Sequence, residues 1–331
     1  MYYRYKSKKR DNKLVKFLFI AVCLCVIIFL GYTYRSHLMF WKYSYNKLYA
    51  KISRIQAVKD PALRRTQLVE LTKQCDGAKT DNEIDPDTFF LAGRAHYQLG
   101  EELVNRSFTR MVIDDALTVH DAAARREFMQ AIKDIRKGFA LLKKDDVTEN
   151  HLYLARAMLY LNFASPNELY ALVQRYDTDR LKGMPEQARV LATLAVMAGA
   201  VEPGLAIMRG YGAPEGVEGL LFLAALERTG KRYTSAIGEY KKVLQSSQDA
   251  AALKNAHANL GRIYYIQALY RESADHFEHA LMLDKNDAAV KVQAGKAHAA
   301  LGNKARATAL WTEALAADAA NEEVKKLLGA R

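Results

Sequence analysis

Apolar positions recur at helical spacing along almost the whole chain, and no stretch alternates convincingly between apolar and polar as a strand would. The pattern predicts helices over 88–100, 126–144, 149–163, 166–176, 184–199 and 202–210, each pair separated by a short polar break. All six prolines, at 61, 86, 166, 185, 203 and 214, fall at expected helix boundaries, where a missing N–H costs little. Residues 101–125 sit between the first two helices as an insertion. Towards the C-terminus the pattern repeats itself: Gly261 is followed by Gly295, Phe277 by Trp311, Ala280 by Ala314 and Leu281 by Leu315, each 34 residues on. A period of 34 made only of helical segments predicts a stacked solenoid of helix pairs, each burying its apolar face against the next. Asn321 to Leu328 is expected to form a helix that covers the open end.

The detailed register resembles the tetratricopeptide repeat (TPR) family. Residues 254–287 carry Leu260, Gly261 and Tyr264 on the first helix of a pair, then Ser273, Phe277, Ala280 and Leu281 on the second. Residues 288–321 carry Ala294, Gly295, His298 and Gly302, then Ala307, Trp311, Ala314 and Leu315. Upstream, Gly230 is followed by Ala236, Tyr240, Val243 and Leu244 with one extra residue in the turn. Small residues at the Gly and Ala positions let the two helices approach, and the aromatic fills the space beside them. The chain departs from the family pattern at Ser273, at His298 and in lacking a closing proline. The resemblance implies an all-α solenoid, with repeats over 217–331 and degenerate helix pairs over 59–216. It also implies a protein-binding module in place of an enzyme.

The other strong pattern lies at the N-terminus. Residues 17–34 contain no charge, and with Leu14 and Val15 they are long enough to cross a hydrocarbon core of ~30 Å. Residues 1–16 hold seven basic residues against Asp11 alone. The positive-inside rule therefore predicts a cytoplasmic leader, an uncleaved signal anchor, a juxtamembrane helix over 35–58 and repeats on the outer side. Tyr32, Tyr34, Phe40, Trp41 and Tyr43 suit an interfacial belt, and no small-residue cleavage site follows the apolar run. In a bacterium this is a single-pass inner-membrane protein with a periplasmic domain.

Half of the net charge of +12 comes from that leader, so the high pI reflects topology more than nucleic-acid binding. Of three cysteines, Cys23 and Cys25 lie in the apolar run and Cys75 stands alone downstream, so no intrachain disulfide framework is expected there. There is no Walker A loop, Gly-x-Ser-x-Gly, His-Glu-x-x-His or Cys-x-x-Cys. Asp114, Asp115, His120 and Asp121 in the insertion, and His257 with His276 and His279, are read as solvated groups without a metal or cofactor. Asn105-Arg106-Ser107 is a glycosylation sequon that has meaning only in a eukaryotic secretory route.

In the resembling family the first helix of each pair, helix A, lines a groove. That implies a partner-binding face of Asn255, Asn259, Arg262, Tyr265, Gln293 and Lys296, with Arg262 and Lys296 as exposed neighbours one repeat apart. Of the family's carboxylate clamp only Asn259 matches, so the face suits an amphipathic helix or extended peptide better than a chaperone tail. The expected function is a membrane-anchored scaffold that assembles or tethers proteins, as a part of an envelope machine such as a flagellar or secretion apparatus. The alternatives are a quality-control adaptor for exported proteins and an enzyme with its site in the 101–125 insertion. Oligomeric state is not legible.

Overall fold

The structure is a computed structural model that describes residues 45–81, 83–142, 148–211, 216–319 and 321–329. The basic leader and the apolar run at 17–34 lie outside the described residues. Among the described residues no helix is long and apolar enough to cross a membrane.

The described chain is helical throughout. In order the helices are α1 (Tyr45–Gln56), α2 (Pro61–Asp81), α3 (Pro86–Val104), α4 (Phe108–Ile113), α5 (Ala122–Leu141), α6 (Glu149–Tyr160), α7 (Pro166–Arg175) and α8 (Pro185–Met197). They continue with α9 (Val201–Tyr211), α10 (Gly216–Thr229), α11 (Tyr233–Ser246), α12 (Ala250–Ile266), α13 (Tyr270–Leu283), α14 (Ala288–Ala300), α15 (Lys304–Ala317) and α16 (Glu322–Gly329). The starts follow from local sequence. Ser165 caps α7 by accepting from the Glu168 amide, with Pro166 as the first helical residue. Asp249, Asp287 and Asn321 accept amide hydrogen bonds at the starts of α12, α14 and α16.

The described residues divide into two compact units, one within Met1–His96 and Lys133–Lys143 and the other within Tyr97–Ile132 and Lys144–Arg331, so α3 and α5 each contribute to both. In the first unit, Leu48, Ile52 and Ile55 line one face of α1, which packs on α2, where Leu68, Leu71, Cys75 and Ala78 are buried. Phe90 meets Phe139 edge to face at 4.9 Å, and Gly138 makes room for it: a Cβ there would lie 2.7 Å from the Phe90 ring.

In sequence the second unit runs as helix pairs α6/α7, α8/α9, α10/α11, α12/α13 and α14/α15, closed by α16; in the last four the two helices pack on each other, whereas α7 packs on α8. Each pair turns through one left-handed residue: Asn162, Gly199, Lys231, Ala268 and Gly302. The amide after it reaches back five residues, as in Leu269 N–H to the Tyr264 carbonyl and Asn303 N–H to the His298 carbonyl, both 2.9 Å. Inside the last two pairs a glycine faces an aromatic ring sixteen residues later. A Cβ on Gly261 would come within 2.9 Å of Phe277, and one on Gly295 within 2.3 Å of the Trp311 indole. Gly100 and Phe128 make the same contact at 2.7 Å from α3 and α5, with the insertion between them. The 34-residue register expected from the sequence is thus a register of close helix contacts, and Val324 of α16 is fully buried against the last pair.

Candidate partner-binding groove

Helix A of each pair in the second unit is α6, α8, α10, α12 or α14, and α4 packs on this face. Six residues are too few to hold a helix in water, so α4 depends on what it buries. Ser107 caps it by accepting from the Arg110 amide at 3.2 Å. Phe108, Met111, Val112 and Ile113 are all buried and join the core formed with α6, α8, α10 and α12. The Phe108 ring lies 6.3 Å from that of Tyr160, and the Arg156 guanidinium sits 5.0 Å over it. Arg156 itself is held by Glu101 at 2.6 Å, and Tyr97 and Tyr160 donate to the same carboxylate oxygen. Asp115 then takes a left-handed conformation (φ 58°) and ends α4, with its amide bonded to the Val112 carbonyl and that of Ala116 to the Met111 carbonyl.

That turn aims two carboxylates at the A-helix face. Asp115 pairs with Arg228 of α10 at 2.8 Å, and Arg228 is nearly buried. Burial disfavours the Arg228 charge, but Asp115 and Tyr240 together outweigh it and raise the guanidinium pKa; burial also opposes the Asp115 charge, but Arg228 holds that carboxyl below its usual range. Asp114 ends a directed hydrogen-bond relay. Arg262 donates to Asn259 Oδ1 (3.1 Å), Asn259 Nδ2 to Asn255 Oδ1 (2.9 Å), and Asn255 Nδ2 to Asp114 Oδ1 (3.0 Å) and the Ile113 carbonyl (3.4 Å). Arg110 closes the other side of Asp114 at 3.0 Å. The Arg262 guanidinium is pushed below its ordinary value by burial, Asp115 opposing this and Arg228 adding to it.

The residues expected to line one groove lie in different surroundings. Asn259 is fully buried and Asn255 nearly so, because the insertion covers them. Arg262 is half-buried in the same network. Tyr265 and Gln293 keep partial exposure; Tyr265 meets Tyr270 edge to face at 5.4 Å. Lys296 pairs with Glu323 of α16 at 2.6 Å instead of standing free beside Arg262. The four polar residues of the insertion also part company. Asp114 and Asp115 anchor α4, Asp121 caps α5 through the Ala124 amide at 2.7 Å, and exposed His120 borders a cleft of about 520 Å³ with Thr118, Thr193 and Thr229. The signal that could have revealed the docking is Phe-x-x-Met-Val-Ile followed by two aspartates, facing arginines that the sequence places on A helices.

Two further clusters form. In the first unit, Lys79 Nζ lies 2.7 Å from Asp76 and 2.8 Å from buried Asp134, with His96 Nε2 3.3 Å from Asp76 and 3.9 Å from Asp134. The ammonium takes the place that a metal ion would need between those ligands. Beside it, burial above all pushes the Cys75 thiol up to about 12, which leaves it an inert core group. In the second unit, His257 of α12 meets His276 and His279 of α13, the three histidines that the sequence predicts as solvated groups. Nδ1 of His257 and Nδ1 of His276 are 2.9 Å apart, and the His279 ring stacks on His257 at 5.0 Å.

No family model matches the chain, and no curated protein matches it. Among solved structures it is similar to the C-terminal part of a TPR repeat-containing protein from Cytophaga hutchinsonii, with 14% identity over 88% of this chain and 97% of that one and a TM-score of 0.40. It is similar to the P58(IPK) TPR domain at 12% identity, over 86% of this chain and 97% of that one, with a TM-score of 0.32. It is also similar to a chain of the APC/C hetero-tetramer Cut9–Hcn1, with 14% identity, 80% of this chain covered and a TM-score of 0.40; there it spans only 53% of the longer chain.

Proposed function

We propose that this chain is a protein-binding scaffold tethered to a membrane by residues 17–34, with its helix pairs on the outer side, where it assembles or positions other proteins of the envelope. The observation that carries the binding part is α4. A short helix with an apolar face and a trailing acidic pair is seated on the A-helix face, gripped by Arg228 and the Asn255–Asn259–Arg262 relay. The face is therefore able to hold a helical segment by burial plus side-chain hydrogen bonds. With α4 in place, the part left for a partner is the C-terminal portion around Tyr265, Gln293 and Lys296. The apolar span and its basic leader support the tether and its orientation.

A photo-crosslinking residue placed at Gln293 in intact cells tests the reading. It is expected to capture one protein in fixed ratio, with capture falling as salt rises because Lys296 and its surroundings are exposed to screening. A probe on the outer face of α15, at Ala309, serves as the control. Equal capture at both positions overturns the proposed face. A reporter that works only outside the cytoplasm, fused after Arg331, is expected to be active; a silent reporter overturns the orientation.

A further inference from the structure

Three histidines from two helices of one pair come together at the α12/α13 seam, and nothing in the scaffold reading uses them. We propose that His257, His276 and His279 bind one divalent first-row transition ion of the Zn²⁺, Ni²⁺ or Cu²⁺ class. Imidazole nitrogens are the ligands these ions prefer. Nδ1 of His257 and Nδ1 of His276 point at one another across 2.9 Å, so only a single proton fits between them. A tetrahedral ion with bonds of about 2.0–2.1 Å needs its nitrogens roughly 3.3 Å apart, so the two rings have to part by about 0.4 Å and turn until both lone pairs meet at one point.

The third ring lies 5.0 Å from His257 and 6.5 Å from His276, centroid to centroid, and has to turn to reach the pair. His276 and His279 are one turn apart on α13 and share a face. The His279 ring lies parallel to His257, 12° from coplanar, and is exposed, so a rotation can bring a nitrogen towards the pair. Its Nδ1 is 2.7 Å from the Asp275 carbonyl, which leaves Nε2 as the ligand atom. Tyr264 stacks on His276 at 5.3 Å and 16°, holding that ring in orientation as an outer-shell partner does. Of the charged groups near His276, Asp275 favours a cation and Lys241 opposes one. Burial, followed by the neighbouring imidazoles, holds the His257 pKa down to about 4 and lowers that of His276, so both rings are neutral at neutral pH; the one proton between the Nδ1 atoms shifts to the Nε2 of the ring that carries it when the ion enters. Three nitrogens leave a fourth position to water, and the ion would staple α12 to α13.

The test is calorimetric titration of the chelator-stripped full chain in detergent with ZnCl₂, alongside the electron paramagnetic resonance spectrum of the Cu²⁺-loaded chain. The expected result is one ion per chain at micromolar affinity, a higher melting temperature with Zn²⁺, and nitrogen hyperfine structure from at least two imidazoles. His257→Ala and His276→Ala are each expected to weaken binding at least tenfold with unchanged helical circular dichroism. His298→Ala, in the next repeat, is expected to leave it unchanged. Zn²⁺ binding that survives in the His257→Ala/His276→Ala chain, or that needs millimolar ion, overturns the proposal. Should a variant lose its helicity, the wild-type copper spectrum decides alone: the absence of imidazole hyperfine structure overturns the site.

Discussion

Two glycines of the array should respond to the same substitution with opposite signs. Gly295 lies on α14 against Trp311, and a Cβ there would sit 2.3 Å from the indole Nε1 and 2.6 Å from Cδ1. Ordinary contact needs about 3.4 Å or more, so the ring has to retreat by roughly 1 Å. Trp311 is buried, and its Nε1 donates to the Val292 carbonyl at 3.2 Å, so the retreat strains packing and breaks that bond. Overpacking costs about 1–3 kcal/mol and the lost hydrogen bond about 1 kcal/mol, while replacing a mid-helix glycine returns about 1 kcal/mol. The net for Gly295→Ala is a loss of about 1–3 kcal/mol. Gly238, exposed on α11, has nothing within 4 Å of its Cβ position, so Gly238→Ala should gain up to about 1 kcal/mol. Urea unfolding followed by circular dichroism, with hydrogen exchange to localise the effect, checks both. In a linear array the Gly295→Ala loss should concentrate in α14–α16. Shifts of the same sign in the two variants would refute the close-contact reasoning.

Other outcomes follow from the same geometry. Ala268 holds the left-handed turn position that glycine holds at Gly302, so Ala268→Gly should stabilise by about 1 kcal/mol in urea unfolding. Ile113 of α4 is fully buried, so Ile113→Ala should cost about 2–5 kcal/mol and speed amide exchange over 108–116 before it does so over 304–317. Burial raises the Asp76 pKa, but hydrogen bonds from His96 and Lys79 outweigh it and bring the carboxyl down to about 2. An acid lowered on folding adds stability above its unfolded value near 4, and that stability is lost as pH falls from about 4 towards 2. Exchange in α2 should therefore accelerate over that window in the parent and less so in Asp76→Asn.

What the sequence made legible was whatever repeats. The 34-residue spacing placed Gly261 on Phe277 and Gly295 on Trp311, because close helix packing demands the same small–large pairing in each copy. The proline and serine starts were readable because capping is local. Docking of α4 was not readable, since Asp114 meets Asn255 across 141 residues and a helix of fewer than two turns gives almost no periodic signal. The same holds for the Lys79 cluster, where Asp134 arrives from 55 residues away. The relay also gives Asn259 and Arg262 partners within their own chain, through Asn255 to Asp114, which their polarity alone does not reveal.

The central claim is that α4 occupies part of the A-helix face permanently and that partners use the rest. Asn255→Cys with Asp114→Cys, in a background with Cys23 and Cys25 changed to serine, allows a short thiol bridge to lock α4 in place. Capture of the crosslinked partner through Gln293 is then compared in the same variant, bridged and reduced. Equal capture in the two states is the result this account predicts. Capture lost on bridging and restored on reduction would contradict it, because the partner would then have to displace α4 and take the Asn255–Asn259–Arg262 face itself.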